Sequence, residues 1–274
     1  MSETSIFKLD RYRYSLILLR QMVITDFKLR YQGSVLGYLW SLLKPLALFA
    51  ILYLVFSIFL KLGDTIQNFP VYLLLGIVVW TYFAEVTGSS IVSIVSRGDL
   101  LRKINFPRYV IVLSTSFSAL INLVINMMVV VVFMYVTGVD FRFEGLLVPV
   151  IILQLFVLGL AASFFLSAVY VKYRDVSHIW EVIMQGAFYA TPILYPVNLV
   201  SDFSELAAKI LMISPMSQMI QDIRYILITE QTIRIDHVFG NHWVRLIPYG
   251  VTILMAVLAA TYFKSQSRKF AESL

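Results

Sequence analysis

The chain has 274 residues, of which 59% are apolar and only 14% are charged, with a mean hydropathy of +0.82 and a formal net charge of +6. Soluble domains carry roughly 25% charged residues, so this composition excludes an ordinary water-soluble fold. The absence of cysteine excludes disulfides, thiolate catalysis and cysteine metal sites.

The first predicted element is an amphipathic helix over residues 12–31 that lies in the cytoplasmic membrane interface. Its apolar arc on a helical wheel is made by Leu16, Ile17, Val23, Ile24, Phe27 and Tyr31. Arg20 falls inside this arc and has to extend its charge toward water. Basic residues scattered through the first thirty positions argue against a cleavable signal peptide.

Two glycines, Gly33 and Gly37, follow this helix and precede the first apolar run. They lie where an interfacial helix must turn to enter the bilayer, and we predict that they form a hinge. The alternative is that the pair lets another helix approach closely, as small residues four apart do in membrane helices.

Six apolar runs are long enough to cross a bilayer, which takes about 20 residues. They cover roughly residues 37–60, 70–95, 109–137, 146–171, 178–197 and 246–263. The predicted fold class is therefore all-α and integral to the membrane, with six transmembrane helices in a single domain over residues 1–274.

The distribution of Lys and Arg predicts the orientation. With the N-terminus inside, the cytoplasmic segments 1–35, 97–108, 172–177 and 264–274 hold fifteen basic residues, and the opposite side holds six. This asymmetry satisfies the positive-inside rule and predicts that both termini are cytoplasmic.

The segment before the last run, residues 204–229, is too apolar for a solvated linker and is interrupted at Ser214-Pro215. Two short helices that re-enter the outer leaflet fit this pattern, because non-helical backbone at membrane depth needs protein or water around it. The alternative is a pair of helices lying flat on the surface.

Catalytic motifs are missing from the sequence. There is no G-x-x-x-x-G-K-[ST] phosphate loop, no Gly-x-Ser-x-Gly elbow and no His-Glu-x-x-His helix. His237, His242 and Asp236 have metal-binding side chains but no supporting motif, so we expect neither a metal site nor a catalytic residue. Glu85 lies deep in a predicted span, where it serves either as a hydrogen-bonding group between helices or in a pathway or gate.

The cytoplasmic stretch over residues 97–107 predicts a short amphipathic helix. Basic residues alternate there with leucine, isoleucine and phenylalanine, and Pro107 marks the return to the membrane. An ordinary positive-inside loop is the simpler interpretation. The interleaved apolar residues favour docking into a groove of a cytoplasmic partner.

Four stretches together resemble a known family. They are DFKLRYQGSVLGYLWSLLKPL (Asp26–Leu46), RGDLLRKINFPRYV (Arg97–Val110), YRDVSHIWEVIMQGAFYATPILYP (Tyr173–Pro196) and SPMSQMIQDIRYIL (Ser214–Leu227). In this order they resemble the membrane subunit, or permease, of type-2 ABC exporters of bacterial polysaccharides. That group serves O-antigen, capsule, teichoic acid and rhamnose-rich wall polysaccharide, and the last of these is the nearest likeness.

The resemblance implies a homodimer joined to two separate ATPase subunits, which bind ATP and magnesium, with no cofactor on this chain. It also implies that Tyr14–Tyr31 is an interface helix and that Ser204–Thr229 gates the outer exit. The helix seated in the ATPase groove would comprise Asp99, Leu100, Leu101, Arg102, Lys103, Ile104, Asn105 and Phe106.

The implied substrate is a polysaccharide linked through undecaprenyl diphosphate, moved across the bacterial plasma membrane. Arginine and lysine near the headgroup level can bind diphosphate oxygens, although anchoring to anionic membrane lipid explains such residues equally well. The candidates are Lys28, Arg30, Tyr31 and Arg102. Aromatic faces hold sugars without strong directional demand. The candidates for the glycan pathway are Tyr53, Tyr82, Phe83, Phe188 and Tyr189, with Glu85 beside them.

Other aromatic residues, including Trp40 and Trp180, are expected in the interfacial belt. Two other functions remain open at this point. A type-2 ABC exporter of a drug or lipid would share the architecture. A membrane-embedded enzyme acting on lipid-linked sugar would belong to another class, and the lack of an acidic cluster argues against it. Nothing in the sequence predicts binding to nucleic acid.

Overall fold

The computed structural model describes residues 3–30, 32–61, 66–103, 106–267 and 270, with side chains from residue 13 onward. In these ranges the chain is helical and has no β-strand. The helices are α1 (Glu3–Leu29), α2 (Trp40–Tyr53), α3 (Phe69–Ser96), α4 (Gly98–Lys103), α5 (Tyr109–Val136), α6 (Val148–Lys172), α7 (Val176–Ala190), α8 (Val197–Phe203), α9 (Glu205–Ile213), α10 (Pro215–Leu227), α11 (Ile235–Phe239) and α12 (Leu246–Ser267).

Five helical segments in the described residues are long and apolar enough to cross a membrane. They are Gly37–Phe59, Phe69–Ser96, Tyr109–Val136, Phe143–Lys172 and His242–Ser267. Short 3₁₀ turns lead into the first, fourth and fifth of these, and α2 continues as a π-helical turn over Leu54–Phe59. The predicted all-α membrane fold is confirmed for five of its six expected spans.

The predicted span over 178–197 is not one continuous helix. Helix α7 has 15 residues and is therefore about 22 Å long, which is short of the roughly 30 Å hydrocarbon core. It ends because Pro192 follows Thr191, and the residue before a proline is pushed out of the α region; Thr191 is extended, with φ −84° and ψ 142°. The six-span count is therefore not confirmed.

Helix α3 forms the centre of the bundle. It packs against α5 and α6, and residues on all of its faces are buried, among them Val71, Leu75, Ile77 and Val86. A small residue on α6 permits this packing, since a Cβ added to Gly159 would lie 2.8 Å from the Val86 side chain. The other elements are therefore arranged around α3.

The segment predicted as two outer gate helices does form two helices, α9 and α10, separated at Ser214. Their environments differ. Helix α10 contacts α3, α6 and α12, and nine of its 13 residues are buried, whereas α9 leaves Leu206 and Ile210 exposed. Re-entry of this segment into the bilayer stays a prediction.

A buried carboxylate ties α11 to the start of α12. Asp236 is contacted by the guanidinium of Arg245, by Arg234 at 3.6 Å and by the His242 ring at 3.2 Å. Burial opposes ionisation of Asp236, but the neighbouring cations outweigh it and lower the pKa of the carboxyl from 3.8 to about 2. The acid considered for a metal site therefore binds side-chain cations.

Arg224 on α10 is completely buried and satisfies the backbone where α7 is broken. It donates to the carbonyls of Pro192 at 2.6 Å and Ile193 at 2.7 Å, and to the Tyr72 carbonyl of α3 at 3.1 Å and 2.9 Å. Its guanidinium also lies 3.4 Å from the Tyr72 ring centroid. One side chain thus joins α10, α3 and the segment after α7, and in that segment it pairs two carbonyls that have no helical partner.

Gly76 makes room for this guanidinium. A Cβ added at Gly76 would lie only 2.5 Å from a terminal nitrogen of Arg224. Arg224 is one of the six basic residues that the predicted orientation assigns to the side opposite the cytoplasm. The structure shows that it is an internal cross-link, which hydropathy and charge counts do not reveal.

Arg224→Met should reduce the free energy of unfolding by roughly 2 kcal/mol or more, since the buried carbonyls of Pro192 and Ile193 lose their donor at about 1–3 kcal/mol each. Thermal unfolding of the purified protein in lipid nanodiscs measures the loss. Arg142→Met is the matched control, because Arg142 pairs with exposed Glu230 at 2.9 Å and such pairs contribute about 1 kcal/mol or less. Equal losses in the two variants would contradict the cross-link.

Candidate functional site

The C-terminal turn of α1 is fixed to the bundle by a charged group within a predicted span. Arg30 forms an ion pair with Glu85 of α3, and the Asn122 side chain of α5 donates to the same carboxylate oxygen at 2.8 Å. Both charged side chains are mostly buried, with 21% and 27% exposed. Glu85 therefore connects three helices.

A second ion pair lies one helical turn earlier along α1, and here α1 supplies the acid instead of the base. Asp26 of α1 pairs with Arg97, which follows α3 directly and precedes α4. Arg97 also donates to Ser114 of α5 at 3.1 Å. Asp26 precedes Arg30 in the chain, whereas Arg97, the partner of Asp26, follows Glu85, the partner of Arg30. The two pairs thus attach the end of α1 at two points, one within α3 and one just after it.

This placement favours the interpretation of Glu85 as a hydrogen-bonding group between helices over a role in a pathway or gate. Its carboxylate faces α1 and α5, as a hydrogen-bonding group between helices does. Its neighbours Thr81, Ala84 and Gly88 line a groove on another side of α3, and Glu85 is not among the residues that line it.

The two glycines after α1 have left-handed backbones, with φ +79° at Gly33 and +48° at Gly37. L-amino acids other than glycine rarely adopt such angles. No atom lies within 4 Å of an added Cβ at either residue, so neither makes a close helix contact in this chain. Phe27 and Tyr38, on the two sides of the turn, stack with ring centroids 4.8 Å apart. The structure favours a bend, and the hinge function stays a prediction.

The candidate diphosphate residues have different surroundings. Lys28 on α1 and Arg102 on α4 are exposed. Arg30 is already paired with Glu85, so its charge is largely neutralised. Tyr31 lies outside the described residues. Lys28 and Arg102 are therefore the more accessible of the described candidates.

The predicted coupling segment forms the short helix α4. Leu100 and Leu101 are half-buried and Phe106 is buried, all packed in a cluster with Met22 of α1 and Phe263 of α12. Asp99, Arg102 and Lys103 are exposed, and Ile104 and Asn105 lie outside the described residues. The apolar residues thus attach α4 to the bundle, and its charged side chains are exposed on the other side.

An aromatic groove of about 730 Å³ lies between α2, α3 and α7. The ring centroids of Trp80 and Phe188 are 5.9 Å apart in an edge-to-face arrangement, and those of Phe188 and Tyr189 are 5.3 Å apart. The amide of Gln185 and the carboxylate of Glu181 add polar groups to the lining. Aromatic faces beside a few polar groups suit a sugar chain, which has apolar ring faces and hydroxyl edges.

The structure distinguishes between the predicted pathway residues. Phe188 and Tyr189 line the groove, and Phe83 borders it through Trp180, 6.5 Å away. Tyr82 is buried against Gly159 and does not reach the groove. Tyr53 packs between the rings of Phe49 and Phe69. Tyr82 and Tyr53 are thus packing residues, because they face neighbouring helices.

Sequence reasoning missed two tryptophans of this groove. Trp80 was not considered, and Trp180 was expected in the interfacial belt. Trp180 instead donates through Nε1 to Thr87 of α3 at 3.0 Å and lines the groove. A signal was present, because Trp180, Met184 and Phe188 recur every four residues, which puts them on one face of α7.

Comparisons with known proteins identify the class. The model of the ABC-2 type transporter family matches residues 17–228, and the chain belongs to this family. The chain is therefore a multi-pass membrane permease, and the resemblance noted in the sequence is confirmed.

The names of its relatives are more specific than the family description. The chain is 29% identical over 265 residues to the O-antigen export system permease protein RfbA of Myxococcus xanthus, covering 97% of this chain and 98% of that protein. Two proteins of the same name from Klebsiella pneumoniae are 28% and 26% identical over 256 residues, covering 92% of this chain and 94% of each relative.

A double-mutant cycle tests the anchor of α1. Arg30→Met and Glu85→Gln should each lower the thermal stability of the protein, since each leaves a mostly buried partner unmatched. The double variant should lose less than the sum, with a coupling energy of roughly 1–3 kcal/mol. The exposed pair Glu205–Lys209 on α9 is the control, with a coupling near 0.5 kcal/mol or less. Additive losses for Arg30 and Glu85 would contradict the anchor.

Proposed function

We propose that this chain is the permease subunit of an ATP-driven exporter that moves undecaprenyl-diphosphate-linked polysaccharide to the outer face of the bacterial plasma membrane. The observation that carries the proposal is the open aromatic groove in a chain of the ABC-2 family. The names of the relatives point to the same class of cargo. Both termini are cytoplasmic in this proposal, as the distribution of basic residues predicts.

A second copy of the chain completes the pathway in this proposal. Helix α7 has no buried residue, and α2 buries only Pro45 and Phe49. Ile179 and Val182 of α7 are exposed beside the groove, and Tyr189, which lines it, is exposed as well. Two copies that pack through α2 and α7 would enclose a channel lined by both grooves, wide enough for an extended glycan.

The energy comes from two ATPase subunits that hold ATP and magnesium, since this chain has no phosphate loop. We place them against the exposed charged face of α4. Closure of the ATPases displaces α4, and the Asp26–Arg97 pair carries this displacement to α1. The Arg30–Glu85 pair then carries it to α3, which borders the groove.

The lipid diphosphate is recognised on the cytoplasmic side. Lys28 and Arg102 supply the charge, as exposed cations that can bind phosphate oxygens. The sugar chain follows into the groove, where Trp80, Phe188 and Tyr189 contact ring faces without selecting one sugar unit.

The test is ATPase activity of the complex formed when this chain is co-expressed with the ATPase encoded beside it. Undecaprenyl-diphosphate-linked glycan from the same organism should stimulate hydrolysis, and Lys28→Ala or Arg102→Ala should reduce the stimulation about tenfold, as loss of a charge-assisted hydrogen bond does. Failure of any ATPase to co-purify would overturn the proposal. An ATPase that binds but ignores the glycan would favour export of a drug or another lipid.

Gly37→Leu should abolish most polysaccharide export while leaving membrane insertion intact. The reason is backbone strain of about 1–3 kcal/mol, because leucine rarely adopts the positive φ of Gly37. A steric clash is not the cause, because an added Cβ meets no atom within 4 Å. Surface polysaccharide and membrane-inserted protein are measured together in the producing cells.

Gly250→Leu is the matched control for this prediction. Gly250 lies in α12 with equally open space around it and without a positive φ. Export at the wild-type level is expected for it. Full export by Gly37→Leu would remove the hinge from the mechanism.

A further inference from the structure

A second, smaller cavity lies away from the aromatic groove, where the chain enters α3, leaves α7 and leaves α10. Its volume is about 290 Å³. Its lining consists of Ile66, Gln67, Tyr72, Pro196, Val197, Asn198, Leu199, Gln221, Thr229, Gln231, Thr232 and Ile233. Asn198 and Gln231 are exposed at its rim, while Gln221 and Thr232 are buried.

Among the described residues, the lining carries amide and hydroxyl groups but no charged side chain and no histidine. A phosphate or carboxylate ligand would require a cation, and a metal ion would require a carboxylate or imidazole. The groups present match a neutral ligand with several hydroxyls, which both donates and accepts hydrogen bonds.

Two polar groups of the lining have no partner within the described residues. Nε2 of Gln221 and Oγ1 of Thr232 are buried without a hydrogen bond, although both residues line the cavity. Leaving a buried polar group unpaired costs about 1–3 kcal/mol. A hydroxylated ligand in the cavity would pair both groups.

The remaining lining is held in place before any ligand arrives. Thr229 donates to the Gln67 side chain at 3.0 Å and accepts from the Gln231 backbone at 3.2 Å. Tyr72 is fixed by the cation–π contact with Arg224 described above. Fixed groups reduce the entropy cost of binding.

An apolar wall complements these hydrogen-bonding groups. Tyr72, Pro196 and Val197 contribute it, and they come from α3 and from the end of the broken α7 segment. A pyranose ring has the same division, with an apolar face and a polar edge. The volume lies at the lower end of the range for small-molecule sites, which suits one sugar ring.

We propose that this cavity binds a single neutral sugar residue of the emerging polymer on the outer side of the membrane. The inference rests on the proposed function, which supplies the polysaccharide, and on the proposed orientation, which puts these connections outside. A sugar held there keeps the polymer from sliding back between successive ATPase cycles.

The absence of cysteine permits a local measurement of binding. Gln231→Cys puts a unique thiol of this subunit at the cavity rim, and its rate of reaction with a maleimide is followed in the intact complex with the ATPase. The probes are methyl glycosides of the monosaccharides in the organism's own polymer. A bound glycoside should slow labelling at Gln231→Cys, while Leu206→Cys, exposed on α9, should react unchanged.

Gln221→Leu in the Gln231→Cys background should raise the glycoside concentration needed for protection about tenfold, the effect of losing one hydrogen bond. Its stability should stay the same or rise, because an unpaired buried amide is removed. The matched control is Gln218→Leu, one turn away on α10. Gln218 bonds Gln154 and Asp222 and does not line the cavity, so this variant should lose stability and keep its protection.

Asn198→Ala, at the exposed rim, repeats the test without risk to folding and should also weaken protection. No protection by any glycoside, or equal loss in Gln218→Leu and Gln221→Leu, would overturn the inference. These results are separate from the test of the exporter, because co-purification of the ATPase and its stimulation by glycan do not depend on this cavity.

Discussion

The structure depends on one constraint, which is that broken backbone inside a packed membrane protein must still find hydrogen-bond partners. Pro192 ends α7, so carbonyls near its end lack helical partners. Arg224 supplies donors to Pro192 and Ile193 and joins them to Tyr72 of α3. A lysine could not do this, since it lacks the planar array of donors. The break in α7, the buried α10 and the open space at Gly76 are thus parts of one arrangement.

The same arrangement links the groove with the smaller cavity. The broken segment after α7 begins just beyond Phe188 and Tyr189, which line the groove, and ends at Pro196 and Val197, which line the cavity. Arg224 therefore holds the segment that joins the two sites, since it donates to the carbonyls of Pro192 and Ile193. On the other side of α3, the two ion pairs from α1 give a rigid connection toward α4.

Much of the candidate site could be predicted from patterns in the sequence, and the errors have a common origin. Phe188 and Tyr189, predicted for the glycan pathway, do line the groove, because α7 is exposed and its aromatic residues have few alternatives. Tyr82 faces α6 instead of the groove, and because most of α3 is buried, residue type does not say which neighbour a ring of α3 contacts. Glu85 was recognised as costly, but its partner Arg30 lies 55 positions away and no periodicity connects the two.

The sequence by itself determined that the protein lies in a membrane and is helical. It also determined five of the membrane-spanning helices, the short helix α4 and the family. These follow from composition, from apolar runs and from local motifs, which act over a few neighbouring residues. Only the tertiary structure decided that α7 is broken, that Arg224 is an internal cross-link and which aromatic residues face open space. Those outcomes depend on which backbone and side-chain groups meet across helices, and such contacts between distant residues leave no local signature in the chain.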